Sequence, residues 1–364
     1  MINYSKLFDI FRNLYADLSY VSKSGKAIIP LRYFFELTYR CNLSCPYCYV
    51  GQDRIKEELT TTEWKNIINQ IPFYSFVTLV GGEPLLRKDF IDILYTTSKK
   101  TFGKLNVVTN GILINEDLID AFVKSNMMLL SVSLDGYGAN HDVNRAQDGI
   151  WDKIISNLEN LQAKKSELNK KRPMIDIKTI VLDNNLDDLP KLYKLCDKMK
   201  FDFLSVSFLR NNNLKQNSNL KEVFGEEFWK DEYPIECYFD LNHFAEIYRE
   251  LKALSKNSNV KIRYSPKFDG GDELKKIKNF YEKGPAKIIT DIYHPCKYPY
   301  SNMMINPEGD VYPCLSYKIG NVRKSLIKDV YNLPKFRCFR KNLQCSKVFN
   351  SCQMCCELEV KDLT

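Results

Sequence analysis

The chain has 364 residues, 44% of them hydrophobic and 13% aromatic, which is enough to bury a large α/β core and too apolar for a disordered chain. Its formal charge of +8 is spread along the sequence, without the clustered basic and aromatic pattern of a nucleic-acid footprint. No run approaches the roughly 18 apolar residues of a membrane-spanning helix, and the charged segment Met1–Tyr20 lacks an export signal's apolar core, so a cytoplasmic protein without membrane insertion is expected.

After a helical N-terminal segment, short β-branched and aromatic runs alternate with amphipathic stretches. The strand candidates are Arg32–Leu37, Phe76–Val80, Leu105–Thr109, Leu129–Ser133, Ile175–Val181 and Phe203–Phe208. Helical patterns fall between them near 61–70, 88–101, 115–125, 151–168 and 186–200, with Thr61, Thr62 and Glu63 resembling a helix N-terminal cap. This alternation is the signature of a parallel α/β sheet with right-handed crossovers, and periodicity leaves open whether it curls into a barrel. Residues 210–220 read as a polar loop or lid, 240–256 as a helix and 268–285 as a second polar connection.

Cysteine carries most of the chemical information. Twelve in a chain with no export signal favour metal or redox chemistry over disulfides. Cys41, Cys45 and Cys48 stand on one loop after the first strand, where an α/β fold places its functional groups. Three thiolates on a short loop suit a cubane whose fourth iron has no protein ligand, and such an open position is where metal chemistry occurs. A zinc knot with a distant fourth ligand uses the same residues. Seven cysteines follow residue 295. Among them, Cys296, Cys314, Cys352 and Cys355 form a four-thiolate set that suits either a closed cluster or zinc, with the NPEGD stretch at 306–310 reading as a hairpin turn. Cys196 and Cys237 read as buried apolar residues.

The loop spacing CxxxCxxC, with Tyr47 before its last cysteine, resembles the signature of the radical S-adenosylmethionine (radical SAM) superfamily. The resemblance extends in family order through Val80-Gly81-Gly82-Glu83-Pro84, Thr109-Asn110-Gly111, the Ser133-Leu134-Asp135-Gly136 element, and His141-Asp142 with Arg145. It implies a partial (β/α)6 barrel over residues 31–209, with a [4Fe-4S] cluster on Cys41, Cys45 and Cys48 and S-adenosylmethionine chelating its fourth iron. Gly81 and Gly82 then let the backbone approach the methionine moiety, and Glu83 orients its ammonium group. Asn110 and Ser133 suit ribose or carboxylate contacts and Arg145 the carboxylate, while Tyr47 and the fifth strand, from Ile177 to Val181, correspond to adenine contacts.

The C-terminal pattern, with twelve residues between Cys296 and Gly309 and Gly320-Asn321-Val322 following, resembles the cysteine-rich twitch/SPASM extension. It implies a small domain at 291–364 with an auxiliary [4Fe-4S] cluster on Cys296, Cys314, Cys352 and Cys355, after a helical extension at 1–30 and a linker region at 210–290. Because only Cys356 follows the CxxC, the shorter twitch form is expected, and a further cluster on Cys338, Cys345 and Cys356 stays open. The family's chemistry implies reductive cleavage of S-adenosylmethionine to a 5′-deoxyadenosyl radical and hydrogen abstraction from a substrate carbon. Peptide or protein modification is the expected use, with a flavodoxin- or ferredoxin-type electron donor. Dehydrogenation of an aminosugar or cyclitol is the alternative, and a non-catalytic iron–sulfur or zinc protein is the reading of another class. Leu315 stands where sulfatase-maturing relatives carry an Asp, which counts against that activity. No general acid or base is identified.

Overall fold

The structure, a computed structural model, describes residues 4–48, 57–209, 235–268, 272–314, 317–352 and 355–363. Its first elements follow the alternation of apolar runs. Strands β1 (Arg32–Glu36), β2 (Phe76–Val80), β3 (Leu105–Thr109), β4 (Leu129–Ser133), β5 (Met174–Val181) and β6 (Phe203–Phe208) pair in parallel, each with the next. Helix α1 (Tyr4–Tyr20) precedes them. The crossovers are α2 (Thr61–Gln70), α3 (Phe90–Thr101), α4 (Glu116–Lys124), the pair α5 (Ala139–Arg145) and α6 (Ile150–Glu167), and α7 (Asp188–Lys198). The capping box of α2 sits one residue earlier than the Thr61–Thr62 reading. Thr60 accepts from the Glu63 backbone, and the Glu63 carboxylate accepts from the Thr60 N–H at 2.8 Å.

The sheet continues at both edges beyond these strands. After α8 (Leu241–Leu254), strand β7 (Lys261–Ser265) adds in parallel to β6. On the other side β9 (Asn302–Ile305) pairs in parallel with β1, and β10 (Asp310–Tyr312) and β11 (Gly320–Asn321) follow antiparallel. The result is one mostly parallel ten-stranded sheet, to which the C-terminal segment contributes three strands. The NPEGD turn is the β9–β10 hairpin, with Asn306 Oδ1 accepting from the Glu308 and Asp310 N–H groups and Gly309 at φ +82°. Strand β8 (Lys267–Phe268) pairs with β12 (Glu359–Val360), and α10 (Pro334–Ser346) lies between β11 and β12 in the chain.

Two expectations are corrected here. Residues 268–285 contain helix α9 (Glu273–Lys283), which buries Ile277 and Phe280 at helical spacing beneath a lysine-rich face. Cys237 is exposed, its thiol donating to the Phe239 carbonyl at 3.2 Å, whereas Cys196 is fully buried in the core. The polar stretch 210–220 lies outside the described residues, as does Leu315. Strand alternation divides the sheet's two faces. Val77, Leu79, Val107, Leu130, Val132, Ile175 and Ile177 enter the apolar core. The opposite parity carries a polar chain in which Ser131 and Ser205 both donate to Asp176, at 3.0 and 2.6 Å.

Candidate functional site

The cysteine loop begins where β1 ends, and it is clamped at its root by the segment that follows β2. Gly82 N–H donates to the Thr38 carbonyl and Glu83 N–H to the Arg40 carbonyl, both at 2.8 Å. A Cβ on Gly81 would lie 2.5 Å from the Thr38 carbonyl oxygen, and one on Gly82 would lie 2.6 Å from that of Tyr39. The close backbone approach that these glycines permit is therefore to the chain's own loop. The β9–β10 turn braces the same loop, because Asn306 Nδ2 donates to the Tyr39 hydroxyl at 2.7 Å.

Cys41, Cys45 and Cys48 are half-buried thiols, outside any disulfide and close enough to influence one another. Burial pushes the Cys41 thiol up to about 11, opposed by a hydrogen bond from the Leu43 backbone, with Glu83 and the other two cysteines adding repulsion. Burial also raises Cys45, and the Arg145 guanidinium opposes it. Among the described residues, no three His, Cys, Asp or Glu groups converge tightly enough to ligate a single ion. In a cubane each thiolate binds a different iron.

Asp135, fully buried after β4, links the loop to the strand ends. Its Oδ2 accepts from the Tyr47 hydroxyl at 2.6 Å and from Arg145 Nη2 at 2.5 Å, while its Oδ1 accepts from the Ile180 N–H at 2.7 Å. Its backbone N–H donates to His141 Nδ1 at 3.1 Å, and its carbonyl accepts from Asn144 and Asn185. Burial lowers His141 to about 4, so the ring is neutral and accepts through Nδ1. Arg145 Nη1 lies 3.7 Å from the Cys45 sulfur, and its buried Nε has no partner among the described residues. Asp142 accepts from the Gly149 and Trp151 N–H groups, capping α6. Sequence reasoning placed Asp135 in a motif without a role; a carboxylate at a strand's carboxyl end was the available signal.

Glu83 is buried and accepts from Leu85 N–H, the Thr109 hydroxyl and Asn110 N–H, at 3.1, 2.8 and 2.7 Å. Burial pushes its carboxyl from an ordinary value near 4.5 up to about 7, against those hydrogen bonds. The folded chain therefore holds a proton there that the unfolded chain releases. The resulting stabilisation is complete below about 4.5 and is lost as pH rises through about 7. In urea titrations of cofactor-free protein, the stability difference between wild type and Glu83→Gln should shrink over that interval; a pH-independent difference would contradict it.

Asn110 Nδ2 donates to Asn42 Oδ1 at 2.8 Å, a partner that the motifs did not indicate. Ser133 is half-buried and aligned with Lys178. Val181 is fully buried in the apolar core, the same cluster against which Cys41 and Cys45 pack. The parity of β5 puts Lys178 and Ile180 on the face of Asp176.

Cys296, Cys314, Cys352 and Cys355 form a second thiol group. Burial raises Cys296, with Cys355 and Cys314 adding repulsion; burial raises Cys352, with Cys355, Cys296 and Cys314 adding theirs. Cys338 and Cys345 are exposed on α10, while Cys356 lies near Tyr298.

Residues 35–204 match the family model of the radical SAM superfamily, and residues 296–356 match that of the SPASM iron–sulfur cluster-binding domain. PqqA peptide cyclase of Bradyrhizobium diazoefficiens is 27% identical over 187 residues, covering 49% of this chain and 46% of that protein. The chain thus spans about half the length of that relative. AdoMet-dependent heme synthase of Methanosarcina barkeri is 25% identical over 330 residues, covering 88% of this chain and 87% of that protein. In fold the chain is similar to Streptococcus suis SuiB bound to S-adenosylmethionine, with a TM-score of 0.63 at 18% identity over 92% of this chain and 73% of that one. No described helix is long and apolar enough to cross a membrane.

Proposed function

The chain belongs to the radical SAM superfamily and carries a SPASM iron–sulfur domain, and on that premise we propose an enzyme that reductively cleaves S-adenosylmethionine and takes hydrogen from a substrate carbon, oxidatively modifying a peptide or protein. When bound, cluster and sulfonium supply a 5′-deoxyadenosyl radical able to attack an unactivated C–H bond. The observation that carries this reading is the group of three thiols after β1, beside a buried arginine N–H that has no partner among the described residues.

The donor set fits. Cys41, Cys45 and Cys48 would hold the first [4Fe-4S] cluster, and Cys296, Cys314, Cys352 and Cys355 an auxiliary one. Burial raises the Cys41, Cys45, Cys296 and Cys352 thiols, a cost removed when iron takes the proton's place. Arg145 Nε is left to meet the carboxylate of S-adenosylmethionine, and Glu83, in its charged form, its ammonium. Gly81 and Gly82 support the site by fixing the root of the cysteine loop. Tyr47 and Ser133 suit contacts to the nucleoside. Asn110 Nδ2 has a second N–H beyond the one given to Asn42, and that donor would face the cofactor. On the same sheet face, the Asp176 carboxylate with Lys178 Nζ 3.6 Å away offers charge to a polar substrate group.

A peptide substrate is supported by the activity named for PqqA peptide cyclase. A second reading, a tetrapyrrole-like small molecule, is supported by the heme synthase relative, because that match spans nearly the whole of both chains. Free thiols and reducible clusters favour a cytoplasmic setting and a flavodoxin- or ferredoxin-type donor. Anaerobically reconstituted protein, reduced with dithionite, should release 5′-deoxyadenosine and methionine from S-adenosylmethionine; no release overturns the proposal. Faster release with peptides than with iron porphyrins favours the first substrate class, and the reverse favours the second.

A further inference from the structure

Asp135 has no unused hydrogen-bonding group, and its partners come from the cysteine loop, α5, β5 and the turn after β5. One carboxylate oxygen is pinned by the Ile180 N–H, so the other is fixed in direction, toward Tyr47 and Arg145. The backbone on either side of the carboxylate is held in turn by His141, Asn144 and Asn185. An arginine oriented by such an anchor has little freedom. Its guanidinium is 2.5 Å from the Asp135 oxygen and 3.7 Å from the Cys45 sulfur, with its Cζ 6.0 Å from the centre of the Tyr47 ring.

Donors and positive charge at a ligating sulfur favour the reduced, more negative state of an iron–sulfur cluster, and outer partners that orient such donors tune the metal as the ligands do. We propose that Asp135 is a positioning residue that holds Arg145 against the Cys45 sulfur, and that this contact raises the reduction potential of the cluster carried by Cys41, Cys45 and Cys48 before S-adenosylmethionine binds. The inference rests on the reading above that these thiols hold a cluster.

The sign of the effect separates positioning from simple charge. Removing the Asp135 carboxylate takes away a negative charge, which by itself raises the potential. If the carboxylate acts through Arg145, Asp135→Asn releases the guanidinium from the sulfur and lowers the potential instead. The test is an electron paramagnetic resonance redox titration of full-length, anaerobically reconstituted protein without S-adenosylmethionine. The relevant signal is the one that changes when S-adenosylmethionine is later added.

Arg145→Met and Asp135→Asn should each shift the midpoint to more negative potential, and Asp135→Asn should give no further negative shift in an Arg145→Met background. Arg145→Lys, which keeps the charge without the fork, should give a smaller shift of the same sign. An unchanged midpoint in both Arg145 variants, or a positive shift in Asp135→Asn, overturns the proposal. The measurement reads only loaded clusters, so partial iron loss in a variant does not obscure it. Wild-type protein with no signal that responds to S-adenosylmethionine overturns the cluster reading itself.

Discussion

Cys45→Ala should abolish the release of 5′-deoxyadenosine, by about a thousandfold or more, as expected when one member of an interdependent catalytic set is removed. Cys45 is the thiol of this group in contact with Arg145, so its loss removes a ligand and the charged donor's acceptor together. Iron analysis should register about four irons fewer per chain. Cys352→Ala provides the contrast. It belongs to the second thiol group, so it should lose a similar amount of iron and still cleave S-adenosylmethionine. Equal loss of cleavage in both variants would mean that the two groups do not act separately. Unchanged iron in either would refute the ligand assignment.

Gly82→Ala should be strongly damaging at the root of the cysteine loop. The added Cβ would lie 2.6 Å from the Tyr39 carbonyl oxygen and closer still to that of Arg40, and neither backbone can yield without breaking the bonds that Gly82 and Glu83 donate to Thr38 and Arg40. Overpacking against backbone costs about 1–3 kcal/mol or more, and here it displaces the root of the cysteine loop. Thermal unfolding should fall by several degrees, and cluster loading should fall with it. Gly138→Ala provides a comparison, because a Cβ there meets nothing within 4 Å although φ is +62°. Its cost should be limited to backbone strain, about 1–3 kcal/mol, with iron content preserved. Equal iron loss in both variants would remove the clamp from the account.

The elements legible in the sequence are those whose burial follows a clean period. The runs of β1 to β6 and the helices α2, α3, α4, α6 and α7 carry apolar residues at the spacing that their packing requires, and they fall within a few residues of the expected bounds. Strand β7 was missed because it lies at the sheet edge, with Tyr264 its one fully buried residue. Helix α9 was hidden by its lysines, which cover the exposed side of a short apolar stripe. The pairing of β9 with β1 joins residues some 270 positions apart, and no local pattern specifies it.

At the site, the cysteine spacing puts three thiols on one loop, and the close approach of the two glycines is to that loop's own backbone. Asp135 could be seen as part of a motif, but its role depends on Tyr47, Ile180 and Arg145, which meet only in the folded chain.

The pairing of β9 with β1 also fixes a dimension. The first thiol group hangs from the carboxyl end of β1, and Cys296 and Cys314 of the second stand on the segments flanking β9 and β10. The two strands share one ladder, Arg32 opposite Asn302 through Phe35 opposite Ile305. The gap that an electron would cross between the two thiol groups is therefore set by hydrogen-bonded register, as on a ruled scale, and not by the reach of a tether. Sliding one strand by a single notch would move every side chain to the wrong face before it changed that gap appreciably.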